Sequence, residues 1–492
     1  MGVWRFLEIP RIDLRWRDQA RRGAYAAALL IVLACLWRAA VWQNMTRAMM
    51  ELPPVDSAHP LIIAIVAVGT FALLWCILML FRVVLHRARL LLDQFVPPRV
   101  SLLVGFILVV WFFWALGQGV VLRFGFQIID SSFSAADQLI EPETERPNDP
   151  TQTGSTASLV QWEVLGRWGR DYINRTPTAS DIAEFAGPTA MQPVRVYVGL
   201  RAAETVQQRA NLALRELIRA GGFERSTLVV MVPVGTGWMD PGGQDTLEFI
   251  LGGDVATVAV QYSYLKGAFS VLANSEIGFA QSKALFDTIY QYWSKLPKNA
   301  RPRFFVHGLS QGAQISQTTV PILDFLNDPI DGALWVGSPF FSPIWRRVRD
   351  ARHSDSPAWL PRYGNGSLVR AANQKSGLEQ YDAPWGPMRL VFLNYASDPI
   401  VLFSFASAYR RPDWLAQPRA FDVSPHLRWF PFVTMLQVAL DTSLALDIPG
   451  YGHYYHARDY IDAWVAVLEP PNWTAEHSAR LKLTFKQRAP AF

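Results

Sequence analysis

The sequence has few cysteines and few charged residues for its length. Cys35 and Cys76 are the only cysteines among 492 residues, and both lie within apolar stretches. A disulfide framework or a thiolate metal site needs more cysteines than this, so both are excluded. Charged residues make up 18% of the chain and hydrophobic residues 51%, against roughly 25% and roughly 45 to 50% in soluble proteins. The composition therefore excludes a disordered chain and indicates membrane segments.

Lysine is absent from the first 125 residues, where 13 arginines exceed 6 acidic residues and give a surplus of +7. The rest of the chain carries 33 basic and 35 acidic residues, a net charge of −2. The basic excess thus belongs to the N-terminal part, and it lacks the aromatic and basic spacing of a nucleic-acid module. We do not expect nucleic acid as a partner.

Three apolar runs are long enough to cross a bilayer, which takes about 20 residues. They cover residues 24–42, 61–81 and 100–122. Buried core helices are the alternative, but runs this long and uncharged are typical of transmembrane helices. Residues 1–125 are therefore predicted to form an all-α membrane domain.

The arginines predict an orientation for these spans. Six precede the first span, one lies in the first loop and four lie in the second loop, in the order Arg5, Arg11, Arg15, Arg17, Arg21, Arg22; Arg47; Arg82, Arg87, Arg89, Arg99. Because arginine favours the cytoplasmic side, we expect the amino terminus inside and the C-terminal domain outside.

Residues 126–157 are predicted to be an extracytoplasmic linker. Within them, residues 141–157 lack large apolar side chains and contain Pro142, Pro147 and Pro150. Such a segment cannot bury enough apolar surface to offset the entropy lost on ordering, so we expect a tether. The remaining residues, 158–492, are enough for one large domain.

Short β-branched runs alternate with amphipathic stretches after residue 193. The predicted strands are Val194–Val198, Leu228–Val232, Val255–Tyr262, Arg303–Val306, Gly332–Val336 and Arg389–Asn394, and Glu204–Arg219 and Glu276–Leu296 are predicted helices. This alternation is typical of an α/β fold, a mostly parallel sheet with helices on both faces.

The segment HGLSQG contains the pattern G-x-S-x-G, with Gly308, Ser310 and Gly312 at its fixed positions. It follows a predicted strand and precedes a stretch, residues 313–320, that is compatible with a helix. That context is typical of a nucleophile elbow, in which glycines allow a sharp turn that presents the serine. Ser310 is therefore a candidate catalytic nucleophile, and a plain glycine-rich turn is the alternative.

A nucleophilic serine needs a histidine to take its proton and a carboxylate to orient that histidine. In α/β-hydrolases the acid follows the serine in the chain and the histidine follows the acid. Asp398 comes directly after the last predicted strand, and His453 lies in a glycine-containing loop before a predicted helix, residues 457–468. An Asp-Pro turn is the alternative for Asp398. The other carboxylates and histidines considered are Asp413, Asp422, Asp441, Asp447, His426, His456 and His477.

The tetrahedral intermediate of such a reaction needs two hydrogen-bond donors at its oxyanion. The backbone N–H of Gln311, directly after the serine, is one candidate. The other would come from the loop after an early strand, where Gly235, Thr236 and Gly237 lie. A simple glycine turn is the alternative.

His453, His456 and Asp459 have a spacing that could bind a metal, but no H-E-x-x-H motif or cysteine supports this, and no metal is expected.

Two insertions, residues 342–387 and 399–450, are rich in aromatic side chains. Such side chains near a membrane can line an acyl pocket or lie at the lipid interface, and the core of a cap domain is the alternative.

Several segments in this order, PVGTGWMDP, HGLSQG, DGALWVGSPFFSPIWR, YASDPIVLFSFASAYRRPDWL and GYGHYY, resemble the bacterial integral-membrane α/β-hydrolase family. That family has an N-terminal multi-span domain and a lipase-like catalytic domain. The resemblance implies a catalytic triad of Ser310, Asp398 and His453. The sequence departs from the family at His307-Gly308-Leu309, where many members have a Gly-Glu-Ser type of elbow, and in having three spans only.

These observations together predict a membrane-anchored serine hydrolase that cleaves carboxylic esters, lipid esters in particular, without a cofactor. The expected location is the bacterial cytoplasmic membrane, the lipid bilayer and a lipid or other ester substrate are the expected partners, and the oligomeric state stays open. One alternative is a hydrolase or acyltransferase that acts on aminoacyl or other acyl-modified membrane lipids. Another is a membrane-tethered binding or scaffold protein without catalysis.

Overall fold

The structure is a computed structural model. It describes residues 14–116, 144–265, 267–319, 328–375, 377–381, 383–442 and 448–488, together with residues 134, 136–139, 141, 445 and 446. The chain divides into two compact units, Met1–Leu122 and Arg123–Phe492.

The first unit contains three long helices, α1 (Leu14–Met49), α2 (Pro60–Leu92) and α3 (Pro98–Leu116). Each is long and apolar enough to cross a membrane. The helices α1 and α2 extend beyond the predicted runs, because helical backbone hydrogen bonding continues past the ends of an uninterrupted apolar run. The last predicted run reaches residue 122, and its residues 117–122 lie outside the described part of the chain.

The second unit is built on a sheet, to which the described residues contribute seven strands. The strands are β1 (Val194–Val198), β2 (Thr227–Val232), β3 (Val255–Val260), β4 (Arg303–Leu309), β5 (Gly332–Val336), β6 (Val369–Ala372) and β7 (Arg389–Leu393). Their order is β1-β3-β2-β4-β5-β7-β6, and all neighbouring pairs are parallel. β4 is therefore central, with β2 on one side and β5 on the other.

Helices connect and cover these strands. They are α4 (Gly166–Asn174), α5 (Ala179–Ala186), α6 (Val206–Arg219), α7 (Pro241–Ile250), α8 (Gly267–Trp293), α9 (Gln311–Thr319), α10 (Pro343–Asp350), α11 (Pro399–Leu402), α12 (Val433–Asp441), α13 (Ala457–Leu468) and α14 (Ala475–Gln487). Short 3-10 turns cover Trp162–Val164, Leu200–Ala202, Gly222–Glu224, Phe405–Ala408 and Asp413–Leu415. This α/β architecture confirms the predicted fold class.

The strands are apolar along nearly their whole length because helices cover both faces of a parallel sheet. Arg195 in β1 is an exception, since it is buried with its Nε 2.7 Å from Glu248 Oε1. Its other guanidinium nitrogens bind Asp245 and the carbonyl of Tyr172, each at 2.7 Å. The buried charge is thus fully paired.

The structure differs from the predicted tether at residues 144–157. Thr153 is fully buried, and its hydroxyl donates to the carbonyl of Arg195 in β1 at 3.1 Å. The guanidinium of Arg146 donates to the carbonyl of Gly154 at 2.9 Å, and Arg219 in α6 binds the carbonyl of Pro150. Arginine and hydroxyl donors satisfy this backbone, so the segment packs within the second unit without large apolar side chains.

Candidate active site

Ser310 lies between the end of β4 and the start of α9, at the middle of the sheet. Its φ is 56°, which is unusual for a residue other than glycine and matches a strained nucleophile elbow. Its backbone N–H donates to the carbonyl of Val336, at the end of β5, at 2.9 Å. The two glycines of the motif are required sterically. A Cβ on Gly308 would lie 2.4 Å from the carbonyl carbon of Gly312, and one on Gly312 would lie 2.1 Å from the carbonyl oxygen of Val232.

Asp398 is fully buried five residues after β7 ends. Its Oδ1 accepts the backbone N–H of Ile400 at 2.9 Å and so caps α11. Its Oδ2 accepts from Nδ1 of His453 at 2.6 Å and from the hydroxyl of Tyr455 at 2.8 Å. The Asp-Pro turn and the contact with the histidine are therefore both present.

The His453 ring has one free nitrogen. Because Nδ1 faces a carboxylate, Nδ1 carries the proton, and Nε2 is left as the basic atom. Nε2 is buried and has no hydrogen-bond partner among the described residues. The ring packs against Gly337, where a Cβ would lie 2.6 Å from its Cε1. Gly337 follows Val336, which binds the backbone of Ser310, so the imidazole and the serine adjoin the same strand end.

The Ser310 hydroxyl donates no hydrogen bond in the described part of the structure. Such contacts are often long without substrate and tighten when it binds.

The backbone N–H groups predicted as oxyanion donors lie at the start of α9 and in the loop after β2. Gln311 is the first residue of α9, and the first N–H groups of a helix have no partner within it. In the loop after β2, the N–H groups of Gly235 and Thr236 donate to no acceptor within the described residues. The prediction for Gly237 is corrected, because its N–H donates to the carbonyl of Val234 at 2.8 Å and is not available.

Side chains fix the position of this loop. Gln261, just after β3, donates through Nε2 to the carbonyl of Thr236 at 2.9 Å. Tyr197 in β1 donates its hydroxyl to the carbonyl of Gly237 at 2.8 Å. The φ of Gly237 is 91°, and a Cβ there would lie 2.3 Å from the Tyr197 hydroxyl, so only glycine fits. The loop that carries the N–H groups of Gly235 and Thr236 is therefore fixed by hydrogen bonds to the carbonyls of Thr236 and Gly237.

Two family models match this chain. One, described as the alpha/beta-hydrolase family, matches residues 194–481, and the other, described as the N-terminus of that family, matches residues 1–177. The first covers more than half of the chain. The chain belongs to the alpha/beta-hydrolase family. The resemblance noted in the sequence is thereby confirmed.

Solved structures similar to this hydrolase are distant. An alpha-beta serine hydrolase homologue from Coxiella burnetii is 18% identical, with 35% of this chain and 77% of that chain covered and a TM-score of 0.20. A structure of LipS and LipT, two metagenome-derived lipolytic enzymes, is 16% identical over 29% and 54%, with a TM-score of 0.18. An acetyl xylan esterase is 15% identical over 36% and 84%, with a TM-score of 0.22. No curated protein matches the sequence.

Three site residues of this hydrolase were missed by sequence reasoning: Tyr455, Gly337 and Asp240. Asp240 ends the loop after β2, where it accepts the N–H of Gly242 at 2.9 Å and the hydroxyl of Tyr460 at 2.6 Å. Burial raises the pKa of Asp240 to about 6, although the two hydrogen bonds and the charge of His453 oppose this. A second carboxylate thus lies within electrostatic range of the histidine.

His307 in β4 is a structural histidine of the hydrolase. Its Nδ1 donates to the carbonyl of Leu334 at 2.8 Å, and its ring packs at 5.1 Å from that of Trp464. Burial lowers the pKa of His307 to about 4. The residue that departs from the family's elbow therefore anchors β4 to β5 in its neutral form.

The other carboxylates and histidines have different roles. Asp422 accepts the N–H of Ser397 at 2.9 Å, Asp413 pairs with Arg352, and Asp441 is an exposed residue at the end of α12. His456 and His477 accept backbone N–H groups at helix starts, His426 is exposed, and Asp459 accepts the hydroxyl of Tyr395 at 2.5 Å. Asp447 lies outside the described residues.

Proposed function

We propose that this α/β-hydrolase is a membrane-associated serine hydrolase of carboxylic esters. Ser310 is the nucleophile, His453 the general base and acid, and Asp398 the residue that orients the imidazole. The oxyanion donors are the backbone N–H groups of Gln311, Gly235 and Thr236. No cofactor takes part in the proposed reaction.

One observation carries the proposal: Ser310 has a strained backbone, and the buried His453 ring has a hydrogen bond at only one of its two nitrogens among the described residues. Ser310 has a φ of 56°, and His453 pairs with Asp398 at 2.6 Å while its Nε2 is buried without a partner. A buried polar atom left unpaired is costly, and such atoms are few in folded proteins. A protein that used this histidine only for structure would gain stability by satisfying both ring nitrogens.

The reaction follows from these positions. His453 Nε2 takes the hydroxyl proton of Ser310, and Oγ attacks the ester carbonyl to form a tetrahedral oxyanion. The intermediate collapses, the alkoxide leaves with the proton from Nε2, and an acyl-serine remains. Water then attacks the acyl carbon and gives a proton to the same nitrogen. Release of the carboxylic acid returns the proton to Oγ and regenerates the serine.

Apolar rings beside the site favour an acyl group as part of the substrate. The backbone N–H of Phe340 donates to the carbonyl of Ile400, two residues after Asp398, at 2.9 Å. The Phe340 ring lies 4.9 Å from that of Phe341 and 5.1 Å from that of Phe403. A fatty acyl chain would find apolar contacts here. Lipid esters are therefore the substrates we propose.

A fluorophosphonate probe tests the proposal on the full chain in detergent and in lipid. In the wild type, Oγ of Ser310 should form a bond to the phosphorus of the probe, which loses fluoride, and the protein becomes labelled. Ser310→Ala and His453→Ala should not be labelled. Ser354→Ala is the matched control, because this serine is exposed and its hydroxyl forms no hydrogen bond with the described residues, and it should label like the wild type. An unlabelled wild type, with circular dichroism showing a folded protein, would refute the activated serine.

We further propose that the hydrolase lies in a bacterial cytoplasmic membrane with its catalytic unit outside. The bias of arginine toward the amino terminus and the second loop supports this orientation. Alkaline phosphatase fused after Phe492 should be active, because it folds only outside the cytoplasm. An inactive phosphatase fusion together with an active cytoplasmic reporter at the same site would reverse the orientation.

A further inference from the structure

Exposed apolar side chains are concentrated in one part of the second unit. Eight large apolar side chains between residues 405 and 446 are 56 to 75% exposed. We call them the apolar face: Phe405, Tyr409, Phe430, Phe432, Val433, Leu436, Leu440 and Leu446. Elsewhere among the described residues from 144 onward, Leu483 is the one large apolar side chain above 48%. Large exposed apolar patches on soluble domains mark interaction sites.

The helix α12 carries its apolar stripe outward. Val433, Leu436 and Leu440 follow one another at spacings of three and four residues and are all exposed. Thr434, which points inward, is 2% exposed, and its hydroxyl accepts the N–H of Phe430 at 2.8 Å. The outward side of α12 thus carries large apolar side chains, where a surface helix of a soluble domain usually carries polar ones. The apolar face therefore needs a partner outside the second unit.

The apolar face is held in place by hydrogen bonds. The backbone N–H of Phe432 donates to the carbonyl of Ala408 at 2.9 Å, and the indole N–H of Trp429 donates to the carbonyl of Ser407 at 2.8 Å. Phe432 has a φ of 59° with its ring 64% exposed. A bulky residue rarely adopts this strained conformation, which is found mainly where function requires it. The backbone is thus fixed so that an aromatic ring faces outward.

Positive charge accompanies the apolar face. Arg410 and Arg411 directly follow Tyr409, and Arg428 lies two residues before Phe430; all three are exposed. Apolar and aromatic side chains together with arginines are the composition of segments that lie in a membrane interface with anionic headgroups. The same chain contains three helices able to cross a membrane. A lipid bilayer is therefore the partner that we favour for the apolar face.

The apolar face borders both loops that carry the candidate site. The Phe405 ring lies 5.0 Å from that of Phe403, which follows Asp398 closely in the chain. It also lies 6.1 Å from the ring of Phe340. On the other side, the backbone N–H of His453 donates to the carbonyl of Ala445, the neighbour of Leu446, at 2.7 Å. Ring contacts and a backbone hydrogen bond thus join the apolar face to the segments that carry Asp398 and His453.

We propose that the apolar face inserts into the interface of an anionic lipid bilayer and forms a second membrane contact, separate from the three helices. The site then opens toward the bilayer, and its ester substrate enters from the lipid phase. The first statement stands without catalysis, whereas the second rests on the proposed function.

Spin labels on the full chain test the contact. Both native cysteines are first removed by Cys35→Ala and Cys76→Ala. A nitroxide is then attached to a new cysteine at the test position, Leu436→Cys. Leu483→Cys is the control, because Leu483 is also exposed. The protein is placed as one copy per nanodisc of phosphatidylcholine and phosphatidylglycerol. The label at position 436 should be more accessible to oxygen than to a water-soluble nickel chelate, and the label at 483 the reverse. Equal chelate access at both positions would overturn the proposal.

A second copy of the chain is the other occupant that the experiment distinguishes. If position 436 became protected only in discs that hold two copies, with dipolar broadening between the labels, the apolar face would be a dimer interface. That result would also overturn the proposal.

The substrate route needs a separate measurement. Leu436→Asp with Leu440→Asp should lower hydrolysis of a bilayer-embedded ester about tenfold or more, because two side chains lose their apolar contact. Hydrolysis of a water-soluble short-chain ester should stay within about twofold of wild type, and Leu483→Asp should leave both rates unchanged. Equal losses on both esters would overturn the lipid route. A wild type that cleaves neither ester would refute the proposed function and leave the spin-label result standing.

Discussion

The hydroxyl of Tyr455 donates to the same carboxylate oxygen of Asp398 that binds Nδ1 of His453, at 2.8 Å and 2.6 Å. The phenol oxygen itself accepts the backbone N–H of Tyr395 at 3.2 Å. Asp398 therefore receives three hydrogen bonds, counting that from Ile400. The carboxylate is held in one orientation before any substrate binds, and the imidazole is held with it. Four predictions rest on such contacts around the site.

Asp398→Asn should reduce kcat on a soluble ester by about three to four orders of magnitude, because the amide can donate to Nδ1 and stabilise the wrong tautomer of His453. KM should change little, since the aspartate is fully buried. The check is steady-state kinetics on the full chain in detergent, with Asp413→Asn as the control at an exposed ion pair. Wild-type kcat in Asp398→Asn would remove Asp398 from the mechanism.

Tyr455→Phe should lower kcat about tenfold, because one hydrogen bond to an ionised group is worth about 1.5 to 3 kcal/mol and only part of it acts on the reaction. Tyr455 positions Asp398, so KM should be unchanged. Tyr454→Phe is a close control, since the buried Tyr454 hydroxyl has no partner within the described residues. Equal kcat values for the two variants would show that the bond from Tyr455 has no role in catalysis.

Gly337→Ala should lower kcat/KM about a hundredfold or more, because the new methyl group would lie 2.6 Å from the His453 ring and displace it. The φ of Gly337 is 56°, so some of the change will be backbone strain. Gly364→Ala isolates that part, since Gly364 has the same φ of 56° with nothing within 4 Å of its added Cβ. Comparable activity in the two alanine variants, both folded, would contradict the contact.

His307→Asn should reduce the loss of stability in acid. The pKa of His307 is lowered to about 4 by burial, whereas an unfolded histidine has a pKa of about 6.5. Between these values the unfolded state binds more protons, so the free energy of unfolding falls as the pH falls from about 6.5 to about 4, by about 3 kcal/mol. Asparagine can still donate to the carbonyl of Leu334 but does not titrate.

Denaturant unfolding at pH 7 and pH 4.5 checks this prediction. The difference in unfolding free energy between the two pH values should be smaller in His307→Asn than in the wild type. Asp240 titrates in the same range but is present in both proteins, so its contribution cancels. An identical pH dependence in the wild type and in His307→Asn would contradict the prediction. It would mean that protonation of His307 does not lower the free energy of unfolding.

Much of the sheet could be predicted because parallel strands buried on both faces are apolar and β-branched. Runs such as Val194–Val198 and Gly332–Val336 coincide with the observed strands. The strand Val369–Ala372 was missed because VRAA contains one β-branched residue and pairs only with β7 at the sheet edge. Its arginine, Arg370, is buried, and its guanidinium donates hydrogen bonds to three backbone carbonyl oxygens. No local sequence pattern indicates this burial.

Residues of the candidate site could be predicted where chemistry fixes residue type and chain order. Ser310 is marked by its motif, and Asp398 and His453 by what a serine nucleophile requires of the chain after it. No sequence motif indicates Tyr455 or Gly337, because their partners are far away in the chain. Tyr455 binds Asp398, 57 residues before it, and Gly337 contacts His453. A glycine directly after an apolar strand, as in LWVG, was nonetheless a usable signal of close approach.

The strand order also has a consequence for biosynthesis. The sheet has all its described strands only once Leu393 at the end of β7 has been made, long after the three helices that end by Leu116. At about 5 to 20 residues per second, the sheet stays incomplete for many seconds after β1 has been made. The longest described strand has seven residues, fewer than the about nine to eleven that a strand needs to cross a membrane. None of the described strands is therefore long enough to span a bilayer by itself while it waits for its neighbours in the sheet.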